Sequence, residues 1–420
     1  MNQVPTIALL GAGNRGKVYA DYLLSHPQAG RLVALAEPNP ARRSQVALAH
    51  GISDSGLFRD WRELLSSRLA DGLIIATPDR EHVEPALAAL QLGYTVLLEK
   101  PLAPTLSELL RLAAAPGLER LAVAHVLRYT DFFGTVAQIL NSGQIGELIA
   151  IEHHEDVGYW HFAHSYVRGN WRHEADSSPF ILAKACHDLD LLRWYAGRPA
   201  TRAVGFGELR YFKPASRPAG APERCSDGCP AAPACPFEAQ NFYLSFPEEP
   251  VWPASVISDQ PTRAARAEAL RTGPYGKCVF GGDNDVPDHY SATIEFGEVL
   301  AQLSVSAFTP RNTRQVRFLG TKGNLSGDLE AAWLEVTPYG KTPQRYQTGG
   351  QGQRHGGGDN GLMADFLARL QTGAPSPTGF WAALESHLLA LALEESRHSG
   401  RVIELAQSPY QSPRPTSDSD

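Results

Sequence analysis

The sequence predicts an α/β protein in two parts: an N-terminal doubly wound parallel sheet, then an α/β domain built on an open, largely antiparallel sheet. Three observations carry this. Between residues 4 and about 125, short apolar β-type runs alternate with helical patterns, which is the signature of crossover units. The first of these runs ends in a glycine-rich turn that opens a helix. After residue 146 the strand-like runs lengthen, alternate polar with apolar residues and are joined by short turns.

The elements follow in order. The runs TIALLG, RLVALAE, GLIIAT, YTVLLE and RLAVAHV read as buried parallel strands of a domain spanning 1–127. A second domain, 128–405, begins near LRYTDFF and holds the alternating runs LIAIEHHE, RAVGFGELRYF, YSATIEF, VLAQLSVSAF, RQVRFLG and AWLEVTPY. Between them, SSPFILAKACHDLDLLRWYAGRP predicts a helix over about 179–196, with Ser177 and Ser178 as N-cap, Pro179 in the first turn, and Gly197 before Pro199 as a left-handed stop. At about 100° per residue, Lys184, His187, Asp188, Leu191 and Tyr195 share one arc. Leu182, Ala185, Cys186, Leu189 and Leu192 share the opposite one, so one face is core and the other is either solvated or a site. Residues 213–288, rich in Pro, Gly and Cys, read as a long inserted loop; helices near 358–371 and 378–398 close the chain, and the polar segment 406–420 reads as a disordered tail.

Bulk properties bound the function. The chain has 420 residues, 43% hydrophobic and 20% charged, enough for two cored domains. A net charge of -7 with no basic, aromatic-laced stripe excludes a nucleic-acid footprint. No basic leader or membrane-spanning run is evident, so the expected location is cytoplasmic and the expected partners are small molecules, with neither nucleic acid nor membrane. Five cysteines do not make a disulfide framework in a chain of this length.

IALLGAGNRGKVYADYLL places Gly11, Gly13 and Gly16, with Asn14 and Arg15 between the last two, as G-x-G-x-x-G between a strand and a helix. Such glycines permit a tight turn and let backbone approach a pyrophosphate, which lies on the helix N-terminus where amides and dipole favour anions. The second strand ends in Glu37, placed to accept from the ribose hydroxyls of an adenosine and to repel a 2′-phosphate. NAD is therefore the expected cofactor, with NADP left open by Arg42 and Arg43 close behind.

The segment DGLIIATPDREHVEPALAALQLGYTVLLEKPLAPTLSEL, with ATP-x-x-x-H after one strand and EKP after the next, resembles the glucose-fructose oxidoreductase, inositol dehydrogenase and rhizopine catabolism superfamily (Gfo/Idh/MocA). The resemblance runs from the glycine loop through the H-x-x-D of the 179–196 helix to the last two helices. It implies a Rossmann domain followed by an open-faced α/β domain, the nicotinamide at their junction, Thr77, Pro78 and His82 lining the cofactor cleft, and Glu99 and Lys100 beneath the nicotinamide. At the end of a parallel strand, Lys100 is placed to bond a substrate hydroxyl and its developing alkoxide. In relatives the helix reads D-x-x-x-H-x-x-D; here His187 and Asp190 match, but Ala183 stands where the first acid is expected. Lys184 and Asp188 share the arc of His187, so the expected relay has His187 as general base, Asp188 orienting it and Lys184 on the substrate.

Three further stretches suit a polyol pocket or an interface between subunits. GYWHFAHSYVRGNWRHE gathers Trp160, His161, His164, Tyr166, Arg168, Trp171 and Arg172; RHGGGDNG offers His355 and Asp359, as the resemblance implies; Arg128 and Tyr129 could meet cofactor or substrate. Cys225, Cys229, Cys235 and Cys278 either make a tetrahedral structural zinc site or remain free or disulfide-linked, and Cys186 is core. The reading that follows is an NAD(P)-dependent oxidoreductase passing a hydride between nicotinamide and a hydroxyl-bearing carbon of a carbohydrate or cyclitol substrate. Its rivals are an NAD-dependent glycoside hydrolase that oxidises transiently, and a non-catalytic sugar or dinucleotide sensor. Relatives that pair through the open sheet imply a homodimer or homotetramer.

Overall fold

The alternating apolar runs of the first domain fold, in a computed structural model describing residues 4–352 and 354–413, into one parallel sheet. Its strands are β1 (Thr6–Leu10), β2 (Arg31–Ala36), β3 (Leu57–Phe58), β4 (Gly72–Ile75), β5 (Thr95–Leu98) and β6 (Leu121–Val123), in the order β3-β2-β1-β4-β5-β6. The strand order reverses between β2 and β4 on either side of β1, the place where open α/β sheets bind ligands at their carboxyl ends. The expected strands are all present, and β3, too short to show a pattern, adds an edge.

The second sheet has nine strands: β7 (Leu148–Asp156), β8 (Arg202–Glu208), β9 (His289–Phe296), β10 (Val299–Ser306), β11 (Thr313–Gly320), β12 (Gly323–Asp328), β13 (Trp333–Pro338), β14 (Gln344–Gln347) and β15 (Ile403–Glu404). Their order is β14-β13-β12-β11-β7-β10-β9-β8-β15, antiparallel throughout except where β10 runs parallel to β7. Of these, β12, β14 and β15 lack the apolar alternation that reveals the others. One face is open; the other is covered by helices, so that inward positions such as Ile151, Ala301, Ile294 and Phe318 are fully buried.

Four helices position the site: α1 (Asn14–Ser25), α2 (Phe180–Ala196), α3 (Gly358–Thr372) and α4 (Phe380–Ser399). The end of α2 is as expected, with Gly197 at φ 68° donating to the carbonyl of Arg193. Its start is not. Ser177 Oγ donates to the carbonyl of His173 and Ser178 Oγ to Asp79, so neither caps; the Pro179 carbonyl instead accepts from Leu182 and Ala183. Nor is either face of α2 solvated: α4 covers one side, the second sheet the other, and His187, Asp188 and Asp190 are all buried.

The segment expected as a tail is held through its first part. Residues 405–407 form a helical turn, Leu405 donates to the carbonyl of Thr201, and the Tyr410 hydroxyl donates to Glu395 at 2.7 Å; residues 414–420 lie outside the described residues. Among the described residues no helix is long and apolar enough to cross a membrane.

His387, on α4, ties the loop after β5 in place: Leu102 N–H donates to its Nε2 at 2.9 Å while its Nδ1 meets the carbonyl of Ala383 at 2.7 Å. Burial pushes this imidazole down to about 3, so it is neutral in the folded chain. The unfolded chain takes up that proton below about pH 6.5, so the contribution is whole above that pH and falls as pH drops toward about 3. Thermal unfolding followed from neutral to acid pH is expected to show a falling Tm below about pH 6.5. His387→Gln, which keeps one donor and one acceptor, should flatten part of that slope.

Candidate active site

The glycine loop shows why each glycine is there. Gly11 has φ 85°, and a Cβ on it would lie 2.6 Å from the carbonyl oxygen of Ala76; a Cβ on Gly16 would lie 1.9 Å from the carbonyl of Gly11. A Cβ on Gly13 would meet nothing within 4 Å. Two glycines therefore serve the turn and the close seat of α1 on the sheet, and the third keeps the approach to the helix N-terminus open. Gly13 is the N-cap of α1 and no side chain caps it. That geometry fits a dinucleotide pyrophosphate, with Asn14 and Arg15 in the first turn.

Glu37 sits buried at the end of β2, accepting from the amide of Ala12 at 2.6 Å and from that of Asn39 at 2.8 Å. Arg42 pairs with Asp259 at 3.2 Å, and Arg43 donates to the carbonyl of Glu37. Both guanidiniums thus have partners, Arg42 on Asp259 and Arg43 on the Glu37 main chain, and neither pairs with the Glu37 carboxylate.

The loops after β4 and β5 are tied to each other and to the second domain. Thr77 Oγ1 donates to the carbonyl of Glu81, Pro78 stays exposed, and the two ring nitrogens of buried His82 face the carbonyls of Pro101 at 2.6 Å and Thr77 at 2.9 Å. His82 is a strut between the two loops. Asp79 accepts from Ser178 at 2.6 Å and from the Trp171 indole at 3.2 Å, which anchors the start of α2 to the first domain.

Glu99 accepts from Arg15 Nε at 2.5 Å and from the Tyr19 hydroxyl, and Arg15 Nη2 reaches Asp359 at 2.7 Å. Asp359 in turn meets His355 Nδ1 at 3.1 Å. Burial opposes ionisation of Asp359, but Arg15 and then His355 hold it well below the usual carboxylate range. His355 itself has φ 46°, a left-handed conformation unusual outside glycine, which aims its ring to within 6.2 Å of the His187 ring.

Lys100 leaves the end of β5 and donates from Nζ to the carbonyl of Ala183 at 2.8 Å, one turn before His187. The absent acid at 183 is thus replaced by a backbone acceptor. His187 Nδ1 lies 3.4 Å from His125 Nδ1, and burial, reinforced by Lys100, His125 and His355, keeps His187 well below the usual imidazole range and neutral.

The remaining ionisable groups of α2 are matched one by one. Lys184 pairs with Glu155 at 2.7 Å, Asp188 with Arg314 at 2.7 Å, Asp190 with Arg128 through two 2.7 Å bonds, and Arg193 with Glu385. Burial pushes the Glu155 carboxyl up and the Lys184 amine down, making that pair the least firmly ionised. Asp188 also accepts from His153 at 2.8 Å; burial opposes its ionisation, but Arg314 and then His153 hold it well below the carboxylate range. The expectation that Asp188 orients His187 is therefore corrected: adjacent helical residues point apart, and Asp188 faces the sheet. Lys184 is likewise held by Glu155, and Arg128 is locked on Asp190, the carbonyl of Pro377 and the Trp194 ring, not presented to a cofactor.

Of the aromatic stretch, Trp160 and His161 form a half-buried wall with Trp252, ring centroids 5.4 and 5.0 Å away. Tyr166 is buried between Phe162 and Phe180. Arg168 is corrected as a substrate contact: its donors are used on the carbonyls of Lys277 and Phe237, both at 2.8 Å. All five cysteines are free; Cys186 is core, burial pushing its thiol up to about 12. No three of the other sulfurs come within 4.8 Å of one another; the described residues that do bring three ligand atoms so close are Glu174, Glu394 and His398.

Sequence reasoning missed His125, Asp79, Glu155 and Arg314. A signal for one existed: in β7 the inward positions Ile151, His153 and Glu155 put polar groups on the core face, which a merely structural strand avoids. Arg314 is nearly 130 residues along the chain from its partner Asp188, and nothing local marks it.

Residues 6–120 match the family described as oxidoreductase family, NAD-binding Rossmann fold, and residues 137–405 match its C-terminal α/β domain. YteT of Bacillus subtilis is 24% identical over 319 residues, 73% of this chain and 74% of that protein. The inositol 2-dehydrogenase of Leifsonia xyli is 28% identical over 226 residues, 51% of this chain and 59% of its own length, so the match spans less than two thirds of that relative. Among solved structures, an oxidoreductase from Agrobacterium radiobacter in complex with NAD+, L-tartaric acid and magnesium superposes with TM-score 0.68 at 17% identity, over 96% of this chain and 99% of that one. Scyllo-inositol dehydrogenase from Lactobacillus casei with NAD(H) and scyllo-inositol gives TM-score 0.65 at 16% identity, over 96% and 100%.

The pairings make a prediction that separates the ion-paired groups of α2 from its neutral histidine. Asp188→Ala leaves Arg314 buried beside a single carboxylate and is expected to cost about 3–5 kcal/mol in chemical denaturation. His187→Gln, which breaks no ion pair, should stay within about 1 kcal/mol of the parent.

Proposed function

The chain belongs to the Gfo/Idh/MocA family of oxidoreductases, and from that membership we propose that it moves a hydride between NAD and a hydroxyl-bearing carbon of a sugar or cyclitol. The observation that carries this reading is the meeting of Lys100, from the first domain, with the turn of α2 that presents neutral His187. Bound NAD supplies the hydride acceptor or donor. Lys100 is placed to hold the substrate oxygen and stabilise its negative charge as the carbon–hydrogen bond breaks. His187, whose Nδ1 faces His125, takes the carbinol proton at Nε2. His355 and Asp359, fixed through Arg15 to Glu99, orient further hydroxyls from the opposite side. The engaged Arg42 and Arg43 beside Glu37 support NAD over NADP, and the inositol 2-dehydrogenase relative supports a cyclitol or related polyol.

We further infer a homodimer or homotetramer formed through the open sheet face, where Phe206 is 62% exposed and Leu300 42%. A monomer mass by light scattering would overturn that assembly.

The test of function is a panel of cyclitols and sugars, with chromogenic glycosides alongside, read by NADH absorbance. Lys100→Ala is expected to lower kcat by about 10²–10³-fold or more, with NAD binding by calorimetry unchanged. Glycoside cleavage without net NADH would redirect the reading to hydrolysis through transient oxidation. Failure to bind NAD would remove it.

A further inference from the structure

The insertion between β8 and β9 contains a site that the reaction does not use. From Ala239 to Leu270 the chain has little core of its own, a cluster of three fully buried side chains, Ala239, Tyr243 and Leu270. Such a segment needs another source of order. Just before and after it, two extended pieces pair through Arg224 and Lys277: Cys225 N–H donates to the carbonyl of Gly276 at 3.0 Å and Cys278 N–H to that of Glu223 at 2.8 Å. This sets Cys225 beside Cys278, and the turns that follow bring Cys229 and Cys235 to the same place. All four line one small cavity of about 20 Å³, room for a single water-sized body.

Two observations give that cavity a chemistry. The amides of Ala239 and Phe237 donate to the sulfurs of Cys225 and Cys235, which fixes both sulfurs toward the cavity. Arg168, only 3% exposed, also points at it, Nη2 lying 3.7 Å from Cys225 Sγ. Among the described residues no carboxylate pairs with Arg168; its neutral partners are the carbonyls of Lys277 and Phe237. A guanidinium buried without an anion is costly, and four neutral thiols do not relieve it. Four thiolates around one divalent ion carry a net charge of about -2 and do.

We propose that Cys225, Cys229, Cys235 and Cys278 bind one thiophilic divalent ion, of the zinc class, and that this ion staples the insertion to the substrate-side wall through Arg168. Zinc–sulfur bonds of about 2.3 Å put tetrahedral sulfurs about 3.8 Å apart. Since no three of these sulfurs come within 4.8 Å of one another, the ion draws at least some of them together by about 1 Å or more. The link to function is short. Arg168 ends the same segment that presents Trp160 and His161, and Trp252, from the insertion, packs on both. Metal loss therefore loosens the wall that meets the polyol and leaves the glycine loop unchanged. This last consequence rests on the oxidoreductase reading; metal binding does not.

The experiment uses the full chain purified under reducing conditions without a metal-binding tag. Elemental analysis after dialysis against a mild chelator is expected to give about one zinc per chain, released by a mercurial that titrates four thiols. Cobalt-exchanged protein should show the visible bands of a tetrahedral four-sulfur site. Cys235→Ser and Cys278→Ser should fall to near zero metal, and Cys186→Ser should keep it. If the two serine variants fail to fold, stoichiometry, mercurial release and the cobalt spectrum of the parent still decide the matter. Metal-free folded protein with four freely reactive thiols, or a disulfide between any two of these cysteines by mass spectrometry, overturns the proposal. In the enzyme, metal removal should raise KM for the polyol several-fold while NAD affinity holds. A failed polyol assay with zinc still bound would count against the activity alone.

Discussion

Burying charge on one helix sets the terms for the rest of the site. Helix α2 lies between α4 and the second sheet, so Asp188 and Asp190 are buried and Lys184 and Arg193 largely withdrawn from water. Each one needs an opposite charge, and each takes it from a different element: Glu155 on β7, Arg314 on β11, Arg128 from the turn after β6, and Glu385 on α4. Removing one partner of such a pair costs more than the pair itself contributes, because the survivor is left desolvated. The helix is thereby fixed in rotation and along its axis. His187 is the exception: burial, reinforced by Lys100 and the His125 and His355 imidazoles, keeps it neutral beside the ion pairs of the same helix.

The same logic joins the two domains. Glu99, Arg15 and Asp359 come from β5, α1 and α3, yet form one buried acid–base–acid chain ending at His355. Asp79 performs a similar service at the start of α2 through Ser178 and Trp171. The glycine loop and the His355 segment are thus tied to each other through side chains. Strain at His355 is the local cost of this arrangement; its left-handed backbone is held by the aspartate one turn later.

Much of this was legible from residue patterns. The parallel strands, the alternating strands of β7 to β11, the limits of α2 to within a residue or two, and the glycine loop all follow from local periodicity and turn chemistry, which act over a few residues. The strands that escaped, β3, β12, β14 and β15, are short or lack apolar alternation and exist because neighbours supply their hydrogen bonds. Ser177 and Ser178 carry the signature of a cap, but Asp79 and the carbonyl of His173 compete for their hydroxyls.

By itself, the sequence determined the order of elements, the dinucleotide fingerprint and the presence of Lys100 and His187 at chemically meaningful positions. Only the tertiary structure decided which partner each charged residue on α2 takes and that His187 stays neutral among them. The physical reason is range: helix and strand propensities are settled within a few residues, whereas the charge state of a buried group depends on partners such as Arg314 that the chain brings in from far along its length.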